Sequence, residues 1–260
     1  MEMGITDNFL KMKFFGKIFY FFTLLLLAGG FLLWNFYQID LTKNEIKNTI
    51  PQSYFKVRRV EKDILPDLIN LDVPFTSQAP YKIWDELHDN ACEEASIIMV
   101  YYYLTGKELT REIAEKEILN MVDWQIKNWG GHFDLNAEQM IQLFENYFNS
   151  NLFTASISYD FTTEDVKKEL VAGNPIIIPA AGRLLGNPYF TSPGPEYHAL
   201  VIKGYDDKNS EFITNDPGTR RGANFRYNYQ VLENAIHDFN NAFNNADIVN
   251  GIKAMIVIKN

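Results

Sequence analysis

Cysteine is almost missing from this 260-residue chain: Cys92 is the only one. A single thiol cannot close an intrachain disulfide, and one chain cannot build a thiolate zinc site from it. Basic residues are in deficit, with 24 Lys and Arg against 33 Asp and Glu and a net charge of −9. That balance argues against a nucleic-acid partner, whose phosphates call for a basic footprint. The chain holds no G-x-x-x-x-G-K-[ST], no G-x-G-x-x-G, no H-E-x-x-H and no EF-hand loop. Nucleotide and zinc-protease readings therefore have no support, and neither cofactor nor metal is expected. No internal repeat is present.

What is there suits a packed globule. Hydrophobic residues make up 47% and aromatics 15%, including 20 Phe and 14 Tyr, enough for a sizeable core. One stretch breaks the globular pattern. Ile18 to Ile39 is 22 residues without a charge. As a helix it spans ~33 Å, enough to cross the ~30 Å hydrocarbon layer. It exceeds a signal-peptide core of ~7–15 residues, and neither an A-x-A-like site nor a lipobox cysteine follows it. Trp34 and Tyr37 stand where an interfacial aromatic belt would lie.

The expected organisation is therefore a short cytoplasmic tail over 1–17, a transmembrane anchor over 18–39, a stalk or N-terminal extension over 40–70 and a folded domain over 71–260. Lys11, Lys13 and Lys17 precede the span, and only Lys43 and Lys47 follow it closely. The positive-inside rule then sets the remaining residues outside the cytoplasm, as a single-pass protein of the cell membrane. Three of the 24 basic residues and two of the 33 acidic ones precede residue 40, leaving residues 40–260 at −10. An anionic membrane surface would repel such a domain, so the anchor has to hold it there. Nothing in the sequence sets an oligomeric state.

Local signals give helices first and strands later. Leu71–Phe75 reads as a short strand and Ser77–Pro80 as a loop. Ala91–Leu104 is an apolar helix closed by Gly106. Thr110 caps a helix to Val122, Asn136 one to Phe148, and Thr162 or Thr163 one to Ala172. Phe153–Tyr159, Pro175–Pro179, His198–Tyr205, Glu211–Asn215 and Ile252–Ile258 read as strands, and Tyr229–Asp238 as a helix. The fold class is α+β, with a helical part packed on an antiparallel sheet.

Cys92 is the first candidate for chemistry. A buried structural cysteine is the ordinary alternative. Its place in the first turn of an apolar helix, just after Asp89-Asn90, favours a reactive thiolate. Glu93 and Glu94 at i+1 and i+2 point ~100° and ~200° away, so neither need face the sulfur, and a lowered Cys92 pKa is expected. A thiolate needs a base. His88 is too near in sequence, His132 lies in a Gly-rich loop and His237 in a surface helix, whereas His198 begins a strand. With the β-turn centred near Lys208, facing residue numbers sum to about 416. His198 then opposes Gly218, and Asp216 becomes its diagonal neighbour on the same face, with Cα atoms ~7–8 Å apart. An Asp there can hold the imidazole tautomer that a base requires. The alternative is that Asp216-Pro217-Gly218 is only a turn.

Gln78, then Asn90-Ala91-Cys92 opening a helix, then His198 to Asp206, then Asn215 to Gly218, resembles the family-thirty-nine cysteine peptidases. That group includes the bacteriocin-processing enzymes that remove double-glycine leaders. The resemblance runs from Leu71 to Ile258, and Val73-Pro74-Phe75 and Ala172 to Pro175 share in it. It implies a papain-like fold and a peptide or protein substrate. It implies Cys92 as nucleophile, His198 as base and then acid, Asp216 as the group orienting His198, and Gln78 as oxyanion donor beside the Cys92 amide. Two departures stand out: Glu93-Glu94 replaces the Gly-Pro that follows the cysteine in many relatives, and no transporter domain accompanies the chain. A cysteine amidase or transamidase acting on cell-wall peptides, and a non-catalytic papain-like binding module, remain as alternatives.

Overall fold

The computed structural model describes residues 65–149, 152–239 and 248–260, with Gly30 and Trp34 besides. The expected tail over 1–17 and most of the expected anchor and stalk lie outside the described residues. Among the described residues, no helix is long and apolar enough to cross a membrane. Contacts divide the chain into Met1–Ile64 and Leu65–Asn260.

The elements of the second unit, in order, are β1 (Leu68–Asn70), α1 (Glu86–Asp89), α2 (Cys92–Thr105), α3 (Arg111–Trp129), α4 (Ala137–Phe148), β2 (Thr154–Tyr159), α5 (Thr163–Val171), β3 (Ile176–Ala181), β4 (Tyr197–Asp206), β5 (Glu211–Asn215), β6 (Phe225–Asn228), α6 (Tyr229–Ala235) and β7 (Ala254–Lys259). Short 3₁₀ turns occupy Gly182–Leu185 and Ile248–Asn250. This is the expected α+β class. The seven strands form one sheet in the order β2-β7-β3-β4-β5-β6, and β1 pairs with β4 beyond the end of β3. Every pairing is antiparallel.

Capping chemistry explains the helix starts. Thr110 accepts from the Ile113 amide, and Asn136 and Thr162 form capping boxes with Gln139 and Asp165. Gly106 and Gly130 end α2 and α3 in the left-handed region, at φ 63° and 82°. The sheet is covered on both faces. Ile177, Ala199, Val201, Ile256 and Ile258 pack with α2, α3 and α4. Ile176, Ile178, Leu200, Ile202 and Val257 pack with α5 and α6. Double coverage leaves β3 buried throughout and β4 buried from Tyr197 to Tyr205, without the alternation of a half-exposed strand.

Several boundaries differ from expectation. Leu71–Phe75 forms no strand, although the Leu71 amide donates to Lys203 O at 2.8 Å, and the ladder is made just before it, by Leu68–Asn70, in the segment expected to end the stalk. α3 continues seven residues past Val122 because no Gly or Pro interrupts it before Gly130. α6 stops at Ala235, so His237 is not in a helix; its ring bonds the Gly251 and Asn234 carbonyls. The short α1 and the edge strand β6 carry too little periodicity to be read locally.

One buried carboxylate is costly to the fold. Asp238 accepts from the Ala137 amide at α4 (3.2 and 3.3 Å) and from the Phe239 amide (3.0 Å). Burial nevertheless raises its pKa from 3.8 to about 6, against those bonds. A carboxyl held above its unfolded pKa binds its proton more tightly in the folded state. Its contribution therefore favours folding at low pH and is lost as pH rises from about 4 through about 6. Asp238→Asn keeps the acceptor oxygen and removes the charge. Its unfolding free energy should gain on the wild type across that window and stay ahead above it, by no more than ~3 kcal/mol, read as a rising melting temperature. A gain that is the same at pH 4 and pH 8 would rule this out.

Candidate active site

The site forms where the first turn of α2 meets the start of β4. α2 is buried around most of its circumference, from Cys92 to Val100, as a helix enclosed by a sheet and two other helices must be. Its first turn faces a cleft of about 780 Å³ lined by Gln78, Cys92, His198 and Gly218 among others. Cys92 itself is 3% exposed.

His198 stands on β4 with its imidazole nearly sealed, 5.3 Å from the Phe190 ring and edge-on to it. Its Nε2 lies 2.8 Å from Asp216 Oδ1. The carboxylate also takes the Gly218 amide at 3.0 Å, the Tyr227 hydroxyl at 2.5 Å and Asn187 Nδ2 at 2.9 Å. Burial opposes ionisation of Asp216, but the His198 charge and these hydrogen bonds outweigh it and hold the carboxyl below its usual range. An ionised Asp216 has no proton to give, so Nε2–H donates and Nδ1 is left as the acceptor. Gly218 is needed here: a Cβ on it would lie 2.8 Å from His198 Cε1 and 2.9 Å from Phe190 Cε1.

The β4–β5 pairing explains how these two residues meet. Next to the turn, Asp206 pairs with Glu211 and Tyr205 with Phe212, numbers that sum to 417. A bulge at Lys203 then shifts the register, so Ile202 pairs with Thr214 and Val201 with Asn215, which sum to 416. His198 and Asp216 reach one face because of that bulge.

Cys92 departs from expectation. Its Sγ donates to Glu93 Oε2 at 3.0 Å and accepts from the Ala199 amide at 3.3 Å. The other Glu93 oxygen accepts from the Leu135 amide at 2.6 Å. Glu93 thus curls back over the helix start; Cα directions on a helical wheel do not limit a side chain of that length. Burial pushes the Cys92 thiol well up, and the charges of Glu93 and Asp134 push it further, with the Ala199 amide opposing them. The direction is the opposite of the expected lowered pKa: burial and the neighbouring carboxylates favour the protonated thiol. Burial, Asp134 and Glu94 also raise Glu93.

Gln78 reaches the cleft, but its amide is already engaged. Nε2 donates to the His88 carbonyl at 2.8 Å and the Asp89 carbonyl at 3.0 Å, fixing the turn that leads into Cys92. The other histidines serve elsewhere. His88 Nδ1 is 2.6 Å from Asp85 and its Nε2 3.3 Å from Glu115. His132 Nε2 lies 3.5 Å from the fully buried Glu94; burial lowers its pKa, and Glu94 more than offsets that. Asn187 and Tyr227, which complete the shell around Asp216, carry no motif that the sequence could have flagged. Among the described residues, no group of His, Cys, Asp and Glu is arranged to hold a metal ion.

Residues 70–247 match the model of the Peptidase_C39 like family. No curated protein matches the chain. Among solved structures it is similar to a candidate C39-like peptidase from Bacillus anthracis, at 17% identity and a TM-score of 0.46, covering 74% of this chain and 98% of that one. It is also similar to xylellain, a cysteine protease from Xylella fastidiosa, at 15% identity and a TM-score of 0.36, covering 75% of this chain and 86% of that one. The family match spans more than half of the chain and includes Gln78, Cys92, His198 and Asp216, so this protein belongs to the Peptidase_C39 like family, a family of cysteine peptidases.

Proposed function

We propose that this protein hydrolyses peptide bonds through Cys92, His198 and Asp216, on a domain tethered outside the cytoplasm by residues 18–39. The observation that carries the reading is one cleft lined by Cys92 and His198, with the imidazole held through Nε2 by a buried, multiply bonded carboxylate. That arrangement turns Nδ1 into the available base. For proton transfer Sγ has to turn from Glu93 toward Nδ1; the Ala199 amide at 3.3 Å already holds the sulfur beside the residue that follows His198.

His198 Nδ1 takes the thiol proton as Sγ adds to the scissile carbonyl. The negative charge moves onto the carbonyl oxygen, where the Cys92 amide and Gln78 Nε2 can donate to it. Gln78 must exchange one of its two carbonyl partners to do so, a swap on the scale of ~0.5–1.5 kcal/mol for a single hydrogen bond. As the tetrahedral adduct collapses, the C–N bond breaks and imidazolium Nδ1–H protonates the leaving amine. Water, deprotonated by His198, then hydrolyses the thioester and restores the thiol.

A second reading, a binding module without turnover, is favoured by one observation: the thiol bonds Glu93 in place of His198. A thiol-reactive peptide probe separates the two. With full-length protein in detergent, the peptidase reading expects a covalent adduct at Cys92 and release of amine from peptide substrates. Folded protein that never forms the adduct, while the denatured chain alkylates normally, is a binding module. The tether is tested by carbonate extraction of membranes, which the full chain should resist, and by protease added outside the cell, which should reach residues beyond 40.

A further inference from the structure

A second cavity, of about 460 Å³, adjoins the catalytic cleft. Its charged lining residues are Lys82, Arg111 and Arg220, and no acid lines it. Arg220 lines the catalytic cleft as well, where Arg221 joins it. Among the described residues, none of these four cations is held in an ion pair. Arg221 lies over the Tyr189 ring at 4.8 Å and Arg111 over the Tyr81 ring at 5.9 Å, contacts that position a guanidinium and leave its N–H groups available. Some cations elsewhere are matched, among them Arg226 with Asp206 and Glu211, Arg183 with Glu196 and Lys259 with Glu169, while among the described residues lysines such as Lys107, Lys116 and Lys127 stand without an ion pair but line neither cavity. Four unmatched cations gathered at one place, in a chain of net charge −9, concentrate positive potential there.

We infer that this cationic shelf binds a carboxylate of the peptide substrate, so that the protein selects acidic peptides. The inference rests on the peptidase reading above. The acids of the catalytic cleft do not cancel the shelf. Asp89 ends α1 and Asp134 precedes α4, both on the Cys92 side, and Glu196 is matched by Arg183. The cations follow Asp216 on the β5–β6 loop or come from the cavity next door.

The β5–β6 loop is rigid enough to set a distance. Pro217 O accepts from the Gln78 amide at 3.0 Å and from Ser77 Oγ at 3.2 Å. The Asp216 amide donates to Gly222 O at 3.0 Å and the Gly222 amide to Thr219 O at 3.2 Å. Arg220 follows Asp216 by four residues, so their Cα atoms are at most ~14 Å apart. Asp216 bonds the catalytic imidazole and Arg220 lines the same cleft as Cys92 and His198, which places the recognised carboxylate in the cleft that holds the scissile bond. Guanidinium groups grip a carboxylate by paired N–H donors, and lysine adds a point charge. Both an Asp or Glu side chain and a peptide C-terminus present that group.

The test uses full-length Cys92→Ala protein in detergent and fluorescein-labelled peptides, with binding followed by anisotropy. One set carries a single Glu at successive positions around the scissile bond with an amidated C-terminus. A second set carries Gln instead, and a third is neutral with a free C-terminal carboxylate. We expect a Glu peptide or the free-carboxylate peptide to bind ~10-fold more tightly than its neutral counterpart at low salt, with the advantage shrinking as the Debye length falls to ~8 Å at 0.15 M. Whichever acidic set shows the gain identifies the source of the carboxylate. Arg220→Glu should reverse the preference and Arg220→Gln should abolish it, with kcat/KM of otherwise wild-type protein following the same order. Equal or undetectable affinity for all three sets overturns the inference, as does a preference that survives Arg220→Glu. Discrimination in binding with no cleavage of any peptide by the wild type would instead sink the peptidase reading and leave the carboxylate site standing.

Discussion

His198→Ala should leave no measurable peptide turnover, and Asp216→Asn should lose about 10³–10⁴-fold in kcat, on the scale set by the orienting carboxylate of serine triads. The two losses have different origins. Removing the imidazole removes the group that, in the peptidase reading, takes the thiol proton from its resting place beside Glu93 and returns it to the leaving amine. Asp216→Asn keeps the volume and the acceptor oxygen for Tyr227 and Asn187, which bond Asp216 at 2.5 and 2.9 Å. It replaces an acceptor that fixes the Nε2–H tautomer with an amide that can also donate. An imidazole receiving that donation carries its proton on Nδ1 and cannot serve as a base toward Cys92. Asp216→Ala is a poorer test, because it strands the buried Tyr227 hydroxyl and Asn187 amide and destabilises the fold as well. Rates should therefore be compared at matched melting temperature. Normal turnover in His198→Ala, with loss in His132→Ala, would mean that the base comes from the Gly-rich loop and that the β4–β5 pairing has no catalytic purpose.

That pairing also shows how much of the site is legible in the sequence. The turn at 207–210 alone gives a sum of 417, which would put His198 and Asp216 on opposite faces. A sum of 416 reaches the right neighbours without any knowledge of the bulge at Lys203. Its one local signal is Gly204, an isolated glycine within a strand where a Cβ would meet Ile69 O, and contacts distant in sequence hold the bulge as well, with Lys203 Nζ donating to Asn70 and Asn224. The caps on α3, α4 and α5 are legible because each rests on a side chain bonding a backbone amide three residues away. Glu93 and Glu94 mislead, because two carboxylates beside one thiol look like a solvated helix start. Burial at 0% exposure for both comes from the loop around Gly131 and Leu135, which folds over α2 from outside that segment. The family resemblance supplies a role for Gln78 that no local rule could, and the structure adds the qualification that both of its donors are occupied at rest.

Glu93→Gln should accelerate alkylation of Cys92 at pH 7 by ~10–100-fold, at tenfold per unit of lowered thiol pKa. In the wild type, burial first and the Glu93 charge second hold the thiol well above its usual range. The thiolate fraction at neutral pH is then small, and iodoacetamide should react appreciably only on the alkaline side of ~8.5. The substitution leaves burial untouched, so reactivity should not reach that of an exposed cysteine. It removes a carboxyl 3.0 Å from the sulfur, whose own ionisation burial, Asp134 and Glu94 oppose, and offers an amide N–H to the thiolate, while the remaining oxygen still accepts from the Leu135 amide. Both changes favour the anion, so the pH–rate curve for alkylation moves to lower pH. Cys92 and Glu93 share a site, and the midpoint belongs to the pair. The effect on turnover reveals what Glu93 does. If it only parks the thiol proton until substrate arrives, kcat/KM at pH 7 rises in Glu93→Gln, because less work is needed to turn Sγ toward His198. If Glu93 is itself the base, kcat/KM collapses and His198→Ala is mild. Wild-type alkylation that titrates below pH 7 and does not move in Glu93→Gln would show that the thiol is not held by Glu93 in solution. Cys92 would then rest as a thiolate against a protonated His198, and the protonated resting state argued from Glu93 would be wrong.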